Sequence, residues 1–163
     1  MLGGGLMGSG IAQVAAQSGF DTVLREIDDP LAARARASIE KSCARAVEKG
    51  KLSAEARDAA LGRLTCTTRV ADLAGCDIVS EAVGEALGVG SALWRELDAI
   101  CPFGTIFASN TSSLTIAAMA AATARADRVI GLHFFNPVPQ MKLVEVVRTV
   151  TTSDETFERA FDL

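Results

Sequence analysis

Apolar positions divide the chain into alternating long and short segments. Residues 6–18 are small and apolar with no proline, as in a helix buried over most of its surface, and Gly19 stands where such a helix stops. Residues 22–26 read as a strand. Asp28 or Asp29 can cap the next helix with Pro30 in its first position, and residues 30–49 make about 30 Å of helix at ~1.5 Å per residue before Gly50 ends it. Ser53 is placed to cap a further helix reaching about residue 64, which predicts a helical hairpin inserted into an otherwise β/α pattern.

Short strands are expected at about residues 64–67, 78–82, 106–109 and 129–133, with helices between them at about 90–100 and 114–122. Residues 143–147 add a last strand, after which Thr152 and Glu155 have the spacing of a capping box. The alternation predicts an α/β fold, a doubly wound and mostly parallel sheet with the hairpin inserted, in one domain spanning residues 1–163. The chain stops about two turns into the final helix, which reads as a truncation or as the boundary to something absent.

Composition narrows the class. With 163 residues, 49% of them hydrophobic and 22% charged, the chain is globular rather than disordered. No apolar run approaches the ~18 residues of a membrane span. The net charge of -4, with basic residues interspersed among acidic ones, leaves no footprint for nucleic acid. Cys43, Cys66, Cys76 and Cys101 form no CxxC pair and no metal-ligand spacing, so they are expected as free thiols in a cytoplasmic protein without a metal. The N-terminus lacks the basic and apolar regions of a secretory signal.

Gly3, Gly5 and Gly8 form G-x-G-x-x-G at the opening of a helix, where glycines permit a tight turn and close backbone approach, and helical amides attract a pyrophosphate. Glu26 ends the following strand, near the ~20-residue spacing of a carboxylate that accepts from a ribose 2'-hydroxyl. Such a carboxylate favours NAD over NADP. Arg25 should point to the opposite face of its strand. The remaining unusual residues also fall at carboxyl ends of strands, where open α/β sheets bind ligands: Glu81 and Glu85, residues 110–113, and residues 133–136.

His133 is the single histidine of the chain. Twelve residues on, Glu145 is the acidic residue of the apolar stretch KLVEVV, where a buried carboxylate would need a partner. The proline-bearing turn between them can bring the two side chains together, which would fix the imidazole for work as a general base near neutral pH. Spacing leaves a second arrangement equally open: Glu145 on an exposed edge strand, with His133 packed under Phe134 and Phe135.

The stretches GGGLMGSGIAQVAAQSG, SNTSSL, HFFNPVPQMKLVEV and TSDETF together resemble the NAD-binding domain of the L-3-hydroxyacyl-CoA dehydrogenases, including 3-hydroxybutyryl-CoA dehydrogenases, over essentially residues 1–163. The resemblance implies a Rossmann-type fold and oxidation of an L-3-hydroxyacyl-CoA to a 3-ketoacyl-CoA, or the reverse, in fatty-acid β-oxidation. It implies His133 as general base, Glu145 as its orienting carboxylate and Ser112 as a hydrogen-bond partner of the substrate oxygen. NAD contacts carry over to Gly3, Gly5, Leu6, Met7, Gly8, Glu26, Glu85, Ser112 and Asn136, the last beside the nicotinamide. CoA contacts carry over to Ser42 and Lys49 on the helical hairpin.

The sequence departs from the family pattern in several places. Glu26 stands where the family usually has Asp, and Gly90 where it has a cofactor-contacting Lys. Only Met1 and Leu2 precede the glycines, so the first strand is expected to be truncated. The helical C-terminal domain, which supplies the family's usual dimer contact, is expected to be absent. A catalytically silent NAD-binding fragment and a dehydrogenase of a related hydroxy substrate are therefore alternative readings.

Overall fold

The computed structural model describes residues 1–83, 87–110 and 113–163. It divides into two compact units, Met1–Arg69 with Asn136–Lys142, and Val70–Phe135 with Leu143–Leu163.

The first unit contains α1 (Leu6–Gln17), β1 (Thr22–Arg25), α2 (Asp29–Glu48), α3 (Ala54–Gly62) and β2 (Leu64–Thr67). β1 and β2 pair in parallel from Thr22↔Leu64 to Arg25↔Thr67. The two residues ahead of the glycines still pair: Leu2 bridges Arg25 in parallel, and Arg25 N donates to Met1 O at 2.8 Å. Leu2 is fully buried, so this short segment is part of the unit's core.

Sequence explains the helix boundaries here. Ala32, Ala35, Ile39 and Cys43 are the buried residues of α2 and recur every three or four positions, the spacing of one helical face. Asp28 caps that helix by accepting from Leu31 N at 2.8 Å, and Ser53 caps α3 by accepting from Ala56 N at 3.1 Å, each cap being worth ~1 kcal/mol. Gly19 and Gly50 take φ values of +99° and +66° just beyond α1 and α2. Their conformation lets Phe20 N reach Ala15 O and Lys51 N reach Ala46 O, which satisfies carbonyls that the helices leave open.

The second unit contains β3 (Ile78–Glu81), α4 (Leu87–Ile100), β4 (Ile106–Ser109), α5 (Ser113–Ala121), β5 (Val129–Phe134), β6 (Val144–Val147) and α6 (Asp154–Phe161). Its sheet runs β3-β4-β5-β6, with the first three strands parallel and β6 antiparallel to β5. Every residue of β4 is buried, as expected of a strand covered on both faces. Ile106, Ala108, Ile130, Leu132 and Ala160 form a core cluster, and Trp94 tilts against Phe107 with centroids 5.0 Å apart.

One buried cation is fully engaged. Arg125 bonds Asp98 at 2.6 Å and the carbonyls of Asp98, Cys101 and Pro102, with its guanidinium 4.8 Å from the Phe107 ring centre. Removing one partner of such a pair typically costs ~3–5 kcal/mol, because the other charge is left buried.

The last helix corrects the capping residue expected from sequence. Ser153, not Thr152, caps α6 by accepting from Thr156 N. Thr152 is buried and donates instead to Val129 O at 2.7 Å while accepting from Thr149 N at 2.9 Å. The hydroxyl is thus held by Val129 and by Thr149, whose Oγ1 also lies 3.0 Å away, and the cap falls to Ser153. No helix among the described residues is long and apolar enough to cross a membrane.

Candidate active site

In the first unit the G-x-G-x-x-G stretch is shaped by contacts that exclude side chains. Gly3 has φ +83°, a left-handed conformation. A Cβ on Gly8 would lie 1.8 Å from the Gly3 carbonyl oxygen, and one on Gly4 would lie 2.5 Å from the Ala35 Cβ. Gly5 is different, since a Cβ there would meet nothing within 4 Å. Gly5 is also the N-cap of α1 and provides no side-chain hydrogen bond to the first turn. The loop therefore presents uncapped amides beside open space, the arrangement that a pyrophosphate needs. Leu6 and Met7 open the helix at the same place, Leu6 largely exposed.

Glu26 is tied to this loop. Its Oε1 accepts from Gly4 N at 2.5 Å and its Oε2 from Ile27 N at 3.1 Å. Each carboxylate oxygen can accept more than one hydrogen bond, so both remain able to take a ribose hydroxyl. Arg25 is turned elsewhere, its Nε donating to Thr68 O at 3.3 Å. The glycine cradle and the carboxylate beside it thus fit a dinucleotide with a free 2'-hydroxyl.

Asn136 and Ser42 are brought together within the same unit, at a cleft of about 320 Å³ that Ser9, Gln13, Arg45 and Val138 also line. Gly10 makes room for the loop carrying Asn136, because a Cβ there would lie 2.8 Å from the Val138 Cβ. The Asn136–Pro137 bond is cis. Lys49 does not line the cleft; it is the exposed C-cap of α2, about two turns beyond Ser42. Gly10, Gln13 and Arg45 were not singled out from sequence. Only the glycine-rich start of α1 gave a signal, and close approach of a distant loop has no local signature.

In the second unit the strand register decides the histidine. Antiparallel pairing sets His133 directly opposite Glu145, so their side chains share a face. Nδ1 of His133 and Oε2 of Glu145 are 2.9 Å apart. An ionised carboxylate can only accept, so Nδ1 carries the proton and the neutral ring keeps its lone pair on Nε2. The side chains are 43% and 53% exposed, so the carboxylate is not buried as its apolar neighbours implied. β6 ends the sheet order, and an edge strand can leave one face to solvent. Exposed pairs contribute at most ~1 kcal/mol, so this one orients the ring more than it stabilises the fold. His133 also contacts the Phe135 ring, with centroids 4.7 Å apart. The two arrangements left open by spacing therefore coexist: an exposed edge carboxylate that nevertheless holds the imidazole.

Glu81 and Ser109 form a second polar pair at the ends of β3 and β4. Ser109 Oγ donates to Glu81 Oε2 at 2.8 Å, and Val83 N donates to Oε1 at 2.7 Å. Burial pushes the Glu81 carboxyl above its ordinary range, against the pull of these two hydrogen bonds. Glu85 and Ser112, both expected at the site, lie outside the described residues. Gly90 falls within α4, which continues through it despite the usual helical cost of glycine.

Comparison with known proteins gives this geometry a family. The model of the 3-hydroxyacyl-CoA dehydrogenase NAD-binding domain matches residues 1–163. The 3-hydroxybutyryl-CoA dehydrogenase of Bradyrhizobium diazoefficiens is 44% identical over 158 residues, covering 97% of this chain and 54% of that protein. The human mitochondrial hydroxyacyl-coenzyme A dehydrogenase is 45% identical over 168 residues, covering 99% of this chain and 54% of that protein. The crystal structure of (S)-3-hydroxybutyryl-CoA dehydrogenase from Ralstonia eutropha matches with a TM-score of 0.94 at 41% identity, covering 99% of this chain and 57% of that one. The fold is thus a Rossmann-like NAD-binding α/β domain, and the chain spans about half the length of the relatives it matches.

Proposed function

The chain belongs to the 3-hydroxyacyl-CoA dehydrogenase family as its NAD-binding domain, and from that premise we propose that it serves the NAD-dependent interconversion of L-3-hydroxyacyl-CoA and 3-ketoacyl-CoA, with His133 as general base. The observation that carries this reading is the 2.9 Å contact from His133 Nδ1 to Glu145, which leaves Nε2 as a directed base. In the oxidising direction Nε2 takes the proton of the 3-hydroxyl, and in the reducing direction the imidazolium returns it. Glu145 orients the ring and faces the positive charge that protonation creates. Ser112 holds the substrate oxygen.

The amides of Gly5, Leu6, Met7 and Gly8 would hold the dinucleotide's pyrophosphate, Gly3 would shape the turn beneath it while its own N–H donates to Arg25 O, and Glu26 would take the ribose hydroxyls. Glu85, Ser112 and Asn136 complete the set by resemblance. When bound, NAD supplies the acceptor for the hydride that leaves C3. Ser42 and Lys49, on one long helix, would take the CoA portion. We read residues 1–163 as a domain that acts with a helical, dimerising domain of the kind its longer relatives have room for. Fatty-acid β-oxidation is the corresponding metabolic role, and the four free thiols fit a cytoplasmic setting.

A steady-state assay with acetoacetyl-CoA and NADH tests the proposal. Acyl-CoA-dependent NADH consumption is expected, and His133→Gln should lower kcat at least ~100-fold while leaving NAD affinity nearly unchanged. Wild-type turnover by His133→Gln would sink the role given to the histidine. NAD binding without turnover in the unaltered chain would make it a binding domain only.

A further inference from the structure

The ladder between β4 and β5 ends too early to hold the histidine. Its last partners are Ser109 and Gly131, two residues short of His133. Beyond that point β5 is paired on its β6 side through Phe134↔Val144. On the other side the Phe134 N–H would have no strand to bond, and a side chain takes it: Asn110 Oδ1 accepts from Phe134 N at 2.8 Å.

Asn110 is itself anchored. Its backbone N donates to Glu81 O at 2.9 Å, which fastens it to the end of β3. The residue before it, Ser109, is completely buried and bonded to the buried Glu81 carboxylate. The support of the ring is therefore two-sided. Glu145 on β6 holds the imidazole, and Asn110 extends the β4 edge by one hydrogen bond to hold the backbone that carries it.

We propose that Asn110 is a positioning residue for His133, acting through the Phe134 amide. It need not touch substrate or cofactor to matter. Loss of this bond would free the last two residues of β5 on one side, so the imidazole would no longer be presented to Glu145 in one orientation. This role rests on His133 being the functional base, as proposed above.

His133 is the single histidine of the chain, so imidazole NMR reports on it without overlap. In the unaltered chain the ring nitrogens should show the Nδ1-protonated tautomer, and the Phe134 amide should exchange slowly. Asn110→Ala should speed Phe134 exchange at least ~10-fold and collapse the tautomer signature toward that of a free histidine. Asn110→Asp keeps the acceptor and should restore both. Should Asn110→Ala fail to fold, Asn110→Ser, whose oxygen is too short to reach, carries the same comparison. Unchanged exchange and tautomer in the Ala or Ser variant, or failure of Asp to restore them, would overturn the proposal. A Glu145→Gln control separates the two readings. If it moves the tautomer while Asn110→Ala does not, the His133–Glu145 pair stands and the role of Asn110 falls. If neither moves it, the orienting pair falls as well.

Discussion

The glycine loop of the first unit and the histidine of the second achieve fixed geometry by opposite means. The loop is built from backbone: Gly3 takes a positive φ, Gly4 and Gly8 leave no room for a Cβ, and the first turn of α1 beside them has no side-chain cap on its amides. The histidine is built from side chains on a strand scaffold, where register sets His133 against Glu145 and a single asparagine completes the edge. A backbone-built site has almost no tolerance, because one methyl group displaces the chain itself. A side-chain-built site can be changed by an atom without moving its frame.

The largest effect that would break this contrast is expected at Gly8. Gly8→Ala puts a methyl 1.8 Å from the Gly3 carbonyl, so the loop must open. We expect a loss of about 3 kcal/mol in denaturant unfolding together with loss of measurable NAD binding by calorimetry. Near-normal stability with retained NAD affinity would show that the loop is not built as described.

A smaller effect is expected from the buried carboxylate of the second unit. The folded state raises the Glu81 pKa, so it binds that proton more tightly than the unfolded chain does. Its stabilising contribution is therefore full below the ordinary carboxyl range and is lost as pH rises through the raised value. The stability of the unaltered chain relative to Glu81→Gln should fall as pH rises from the ordinary carboxyl range, about pH 4, through the raised value, as followed by thermal unfolding across a pH series. A gap that widens in favour of the carboxylate as pH rises would reverse this sign.

The smallest change in stability is expected at Gly5, inside the less tolerant region. Gly5→Ala meets nothing within 4 Å and should cost less than about 1 kcal/mol. It should nevertheless weaken NAD binding ~10-fold, because the methyl enters the space beside the uncapped amides. Unchanged affinity would mean that the pyrophosphate does not approach there.

Legibility followed the range of the forces involved. Local signals placed the helices well: Asp28 and Ser53 cap where expected, and Gly19 and Gly50 end helices with positive φ. β2 and β4 fall at the residues anticipated from the pattern. Thr152 misled because its hydroxyl donates to the carbonyl of Val129, 23 positions away, which no local spacing reveals, while accepting from Thr149 N three residues back. Glu145 misled in environment, though not in partner, because apolar neighbours on an edge strand do not guarantee burial of the residue between them. Asn110 was read only as one of several polar residues following a strand. The bond that distinguishes it spans 24 positions.

The sequence by itself determined the α/β alternation, the glycine loop with its carboxylate, and the pairing of one histidine with one glutamate as a possibility, since these depend on periodicity, local conformation and charge. Tertiary structure alone decided that β6 runs antiparallel to β5 and meets it in the register that opposes His133 and Glu145. A shift of one residue would send every side chain of β6 to the other face, so the same residues in another register would form no pair.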